Sequence, residues 1–230
     1  MEYDINELEN IITACIENGR RLQGDSETLR DLDRYPTAKA LAILAQEEFA
    51  KAYLVRLVKE GAIPWCEEIF KATRDHLCKQ LMGIVMEYLY TPFENGEDLL
   101  QREKRVKEHF PDFLLPRKVA DALNIFCHEK IAKWKNPNWG CAEDPKYGVE
   151  AKRIWKGQLE KGKQNAMYVS IGKDGRLRNS PMVDRSDADK HIEYAKILEE
   201  VSTGQDVFAF SEREYIKSAL KSIFDNLYNN

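Results

Sequence analysis

The sequence predicts a mainly α-helical protein carrying one small β-hairpin. Three observations lead there. Apolar residues recur every three to four positions through most of the chain, the spacing of helices that bury one face. The longest such stretch, Arg34 to Lys59, is rich in Ala, Leu, Glu and Lys, all good helix formers. Near 166–180 the texture changes to β-prone residues around a strong turn signal.

The elements follow in order. Residues 4–22 form an amphipathic helix with Ile5, Leu8, Ile12, Cys15 and Ile16 inward, and Gly24-Asp25-Ser26 interrupts it. Asp33 is placed to cap the next helix, Pro36 suits its first turn, and Gly61 suits its C-terminal end. Pro64 starts a third helix over 65–90, with Ile69, Phe70, Leu77, Leu81, Ile84, Val85 and Tyr88 inward. The short link predicts that it packs antiparallel to its predecessor. Thr91-Pro92 ends it, a charged, solvated helix covers 96–109, and Pro111 and Pro116 frame a turn. A helix over 117–134 turns Val119, Leu123, Phe126, Cys127 and Ile131 inward. A loop, KNPNWGCAEDPKYG, leads to a helix over 149–162, packed through Val149, Ile154 and Trp155. The hairpin over 166–180 turns at Lys173-Asp174-Gly175-Arg176. Two helices close the chain, 187–202 and 211–228. With no repeat and no long linker, 1–230 reads as a single domain, with a core over 4–134 and a C-terminal extension over 149–230.

Composition narrows the function classes. A chain of 230 residues that is 43% hydrophobic can build a sizeable core. A net charge of −4 gives no global basic field, so nucleic acid would need a local patch. No apolar run approaches the ~18–20 residues of a membrane span. MEYDINELENI is acidic and unlike a signal peptide. The cysteines at 15, 66, 78, 127 and 141 include no CxxC or CxxH pair. That argues against a zinc ribbon or a disulfide framework, and for free thiols in a reducing cytoplasm. The remaining histidines, His109, His128 and His191, have no metal-ligand partner at local spacing, and no cofactor motif is present.

One residue breaks the pattern of the long helix. Glu48 lies seven after Leu41, three after Ala45 and four before Ala52, on the face expected to be buried. A buried carboxylate needs a hydrogen-bonding or cationic partner. His76 and Lys79, one turn apart on the next helix, are the natural partners, and Lys51 sits one turn from Glu48. Histidine suits acid–base work, and lysine can hold a phosphate. The same cluster can equally be a structural ion pair. Glu47 reads as half of an ordinary surface pair with Lys51, worth about 0.2–0.5 kcal/mol.

At RYPTAKALAILAQEEFAKA the chain resembles the AbiV family of abortive infection proteins, through Glu47, Glu48, Lys51 and Ala52. RDHLCKQ, with His76, Lys79 and Gln80, matches a His/Lys motif on the following helix. Tyr168-Val169, Asp174-Gly175 and Ser180-Pro181 match a third segment. The resemblance implies a HEPN-like helical bundle in a bacterial phage-defence protein. It implies a homodimer, a phage protein as trigger, and an RNA or ribosome-associated target. Many HEPN domains are metal-independent endoribonucleases with an Arg-x4–6-His motif. Here that spacing is matched by Arg102 to His109 and by Arg185 to His191, the latter in the better context. The candidate catalytic residues are therefore His76, Lys79, Glu48 and Lys51, with Arg185 and His191 as a second set. The expected function is translation impairment or action on RNA. The alternatives are direct RNA cleavage and a non-catalytic interaction protein.

Overall fold

A computed structural model describes residues 4–90, 115–140, 147–179, 182–203 and 210–228. Thr91-Pro92, the charged helix at 96–109, the Arg102–His109 pair, Pro111, Cys141 and Ser180-Pro181 lie outside the described residues. The chain is mainly helical, as its periodicity predicts.

Helix α1 (Ile5–Asp31) starts at Asp4, whose carboxylate accepts from the Asn6 N–H at 2.9 Å. It runs on through Gly24-Asp25-Ser26, where an interruption is predicted. A glycine inside a helix costs only about 1 kcal/mol against alanine, so tertiary contacts override it. One such contact is in place: Ser26 is buried, and its hydroxyl donates to the Ala38 carbonyl at 2.7 Å. Nearer its start, α1 approaches the next helix closely. A Cβ on Gly19 would meet the Phe49 ring at 2.5 Å.

Helix α2 (Tyr35–Lys59) has Pro36 in its first turn, as predicted. Asp33 does not cap it. It takes a left-handed turn conformation, φ 57°, and its carboxylate accepts from the Tyr35 hydroxyl. Gly61 follows the helix end at φ 71°. What distinguishes α2 is burial over most of its surface: Gln46 and Glu47 are buried, and so are all of Ala52, Tyr53, Leu54 and Val55, while Leu41, Leu44, Glu48 and Lys51 form a partly exposed stripe. It is the central helix.

The single helix predicted over 65–90 is two. Helix α3 (Glu67–Arg74) ends at Asp75, which is extended, and helix α4 (His76–Leu89) begins after it. Asp75 accepts from the Cys78 N–H at 2.9 Å, a side-chain cap, and pairs with Lys130 at 2.8 Å. The break turns Phe70 outward, against its prediction, with Arg74 stacked over its ring.

Helix α5 (Arg117–Asn124) continues through a π-helical stretch (Ile125–Ala132) into a last turn (Lys133–Lys135). Its predicted inward residues are buried. The helix predicted over 149–162 is broken at Gly157 into α6 (Val149–Trp155) and α7 (Gln158–Met167). Gly157 has φ 67°, a conformation that glycine adopts without penalty. Val149, at the start of α6, is 78% exposed, and Ala151 packs in its place. Because α7 extends to Met167, burying Lys163 and Ala166, the hairpin is shorter than predicted. Strand β1 (Ser170–Ile171) pairs antiparallel with β2 (Leu177–Asn179).

Helix α8 (Arg185–Thr203) buries Ala188, Ile192, Ala195, Leu198 and Val201. Helix α9 (Phe210–Tyr228) buries Ile216, Leu220, Phe224 and Leu227, whereas Tyr215 is on its outer side. Helices α1, α8, α4 and α7 all pack against α2. Among the described residues no helix is long and apolar enough to cross a membrane.

Candidate functional site

The carboxylate at the centre of the helices is Glu47. Glu48, singled out by periodicity, is its neighbour and points elsewhere. Apolar spacing misplaces the buried face here, because Leu41 and Leu44 share with Glu48 and Lys51 the partly exposed stripe of α2. Glu48 pairs with Lys51 at 2.6 Å, so those two candidates satisfy each other. Glu47, expected at the surface, is 2% exposed.

Three helices converge on Glu47. Helix α4 contributes its first two turns. His76 Nδ1 lies 2.5 Å from Glu47 Oε2, Lys79 Nζ lies 3.2 Å from the same oxygen, and Gln80 Nε2 donates to Oε1 at 3.1 Å. Helix α7 contributes Lys163, whose Nζ donates to Glu47 Oε1 at 2.9 Å. It also contributes Glu160, 2.7 Å from Lys163 and 3.8 Å from His76 Nδ1. The two breaks in the chain build this arrangement. Asp75 puts His76 at the start of a new helix, and Gly157 starts the helix that carries Glu160 and Lys163.

Two carboxylates and two ammonium groups balance. Burial alone would raise the Glu47 pKa, but Lys79, Lys163 and His76 outweigh it, and the carboxyl sits below its ordinary range. An ionised Glu47 accepts, so His76 Nδ1 carries the proton. Lys163 Nζ, 3.2 Å from that nitrogen, is then a close neighbour and not its donor. The side chain of His76 is 47% exposed, and among the described residues none bonds to Nε2. A histidine oriented by a buried carboxylate, with its other nitrogen free, can take up or deliver a proton.

A cavity of about 670 Å³, lined by residues of α2, α4, α6, α7 and α8, adjoins Glu47. Glu47, Lys79 and Gln80 form part of its wall, and His191 faces it from α8. His191 makes no contact with the cluster. Gln46 Nε2 donates to the His191 carbonyl at 2.7 Å, and burial, with Lys39 nearby, pushes the imidazole down to about 4. Arg185 points away. Its side chain is 61% exposed, and it pairs with Asp189 at 3.8 Å. Residues six apart on a helix diverge by roughly 120°. The Arg185–His191 spacing therefore does not bring the two side chains together within one chain.

Of the predicted residues, the structure joins His76 and Lys79 in one cluster and leaves out Glu48, Lys51, Arg185 and His191. It adds Glu47, Gln80, Glu160 and Lys163. Gly157, inside a predicted helix, is the one local signal that a new helix begins before Lys163. Nothing local links Lys163 to Glu47, 116 residues away.

The family model for AbiV proteins of the HEPN group matches residues 7–200 of the chain. No curated protein and no solved structure matches it.

Proposed function

The chain belongs to the AbiV family of abortive-infection proteins, which act in phage defence, and on that premise we propose that it impairs translation by acting on RNA, with the Glu47–His76 pair handling the proton. When a ribose 2′-hydroxyl attacks the adjacent phosphodiester, one group removes its proton and another returns a proton to the leaving oxygen. Here His76 Nε2 takes the 2′-hydroxyl proton, and the leaving oxygen takes its proton from water. Glu47 orients the ring through Nδ1. Lys79 and Lys163 keep Glu47 ionised and are positioning residues. The observation that carries this reading is a 2%-exposed carboxylate set against a half-exposed histidine. A homodimer, a phage protein as trigger and a ribosome-associated RNA target belong to the same reading.

A second reading, a non-catalytic interaction protein, is favoured by one observation. The cluster is charge-balanced and both lysines are largely buried, so it also serves to hold three helices together. Phage challenge of cells carrying wild type, His76→Ala or Glu48→Gln separates the two, with RNA integrity followed after infection. We expect His76→Ala to lose protection and RNA fragmentation at normal protein level, and Glu48→Gln to retain both. Full protection by His76→Ala overturns the acid–base reading. Protection by wild type with intact RNA leaves the interaction reading standing.

A further inference from the structure

The cluster already holds a cation among its acceptors, the Lys163 ammonium. Glu160 Oε2 is buried, and it is held by Lys163 Nζ at 2.7 Å as an ion pair. Gln80 is 7% exposed, and its Oε1 is buried without a partner. Two carboxylates gathered around one ammonium, with a buried unpartnered amide oxygen beside them, mark a place where a cation is held. The geometry agrees. His76 Nδ1, a Glu47 oxygen and a Glu160 oxygen lie within 4.8 Å of one another. Lys163 Nζ stands among them, 2.9 Å from Glu47, 2.7 Å from Glu160 and 3.2 Å from His76.

We propose that Glu47, His76 and Glu160 form a binding site for a first-row divalent transition-metal ion of the Zn²⁺ or Co²⁺ type, with the Lys163 ammonium holding the three ligands together when no metal is bound. One imidazole and two carboxylates are a donor set such ions accept. Metal–ligand distances of about 2.0–2.2 Å require each ligand to move by roughly 1 Å or less. Lys163 has an unbranched, flexible stem and leaves as the ion enters, keeping its proton. The His76 proton moves from Nδ1 to Nε2, so binding at this ring releases none. Lys79, 3.2 Å from Glu47 Oε2, stays as the outer partner of that ligand. Entry is open past the half-exposed His76 ring. The sequence gives no hint of the site, because its ligands come from three helices far apart in the chain.

This inference does not rest on the RNA reading, and its test reads binding directly. Co²⁺ is titrated into the full-length protein while its visible d–d absorption is recorded, and Zn²⁺ competition gives relative affinity. Wild type is expected to show the intense spectrum of low-coordinate Co²⁺. His76→Ala and Glu160→Gln, changes at the accessible side of the cluster, are expected to weaken binding by at least about tenfold. Lys163→Met is expected to bind about tenfold or more tightly, since a charge-assisted ammonium no longer competes. Circular dichroism establishes that each variant is folded. If Lys163→Met does not fold, the two ligand variants decide the matter. A featureless wild-type titration, or wild-type affinity in both His76→Ala and Glu160→Gln, overturns the proposal.

Discussion

Glu47→Gln leaves the Lys79 and Lys163 ammonium groups buried without the carboxylate they share. Breaking a buried ion pair from one side costs about 3–5 kcal/mol. Glu48→Gln breaks only the partly exposed pair with Lys51, worth about 0–1 kcal/mol. Urea denaturation of the two variants checks this, and equal losses would contradict the placement of the two side chains. Their pH dependence follows from the same surroundings. The depressed Glu47 pKa contributes stability that is present above the ordinary value of 4.5 and is lost as the pH falls through its folded-state value. His191 adds a second slope at higher pH. Its folded-state pKa is about 4 against an ordinary 6.5. Between those values the unfolded chain binds more protons, so stability falls as the pH drops from 6.5 towards 4. That gap corresponds to about 3 kcal/mol. His191→Gln removes this slope, which melting curves at pH 7 and pH 5 would detect. An unchanged slope would show that His191 is not the group responsible.

The interruption at Asp75 sets where the candidate site begins. A continuous helix over 65–90 would carry His76 in its interior. The extended Asp75 instead makes His76 the first residue of α4, and its carboxylate both caps that helix and pairs with Lys130. Lys130 lies in the π-helical stretch, so that irregular element helps to fix the start of α4. π-helical turns occur often at functional sites. Asp75→Ala is expected to cost about 1–2 kcal/mol through loss of the cap alone, and to disturb the His76–Glu47 contact. Thermal denaturation measures the first effect and the imidazole NMR signals of His76 the second. Unchanged His76 signals in a destabilised variant would mean that the cap does not position the ring.

α2 draws its cover from both ends of the chain. Helix α1 lies on one side, and α7 and α8, which begin more than a hundred residues later, lie on others. Residues 4–134 alone would expose the faces of α2 that α7 and α8 cover, and would lack the buried Ile192 and Leu198. Each such aliphatic side chain contributes about 1.5–3 kcal/mol when buried. We therefore propose that 4–134 does not fold on its own. Far-UV circular dichroism of the fragment tests this, and a cooperative melt near the wild-type temperature would refute it.

Local pattern by itself determined the helical class, the approximate span of most helices, the hairpin turn, and that His76 and Lys79 face α2, though it named Glu48 as their partner there. These follow from side-chain period and turn chemistry, which act over a few residues. Tertiary structure decided which glutamate His76 and Lys79 meet. Residues 47 and 48 differ by about 100° around α2, and the partly exposed stripe through Glu48 also carries Leu41 and Leu44, so an apolar period does not name the buried side. Tertiary structure also brought in Glu160 and Lys163. Their pairing with Glu47 depends on how α7 stacks on α2, and no pattern within either helix encodes that.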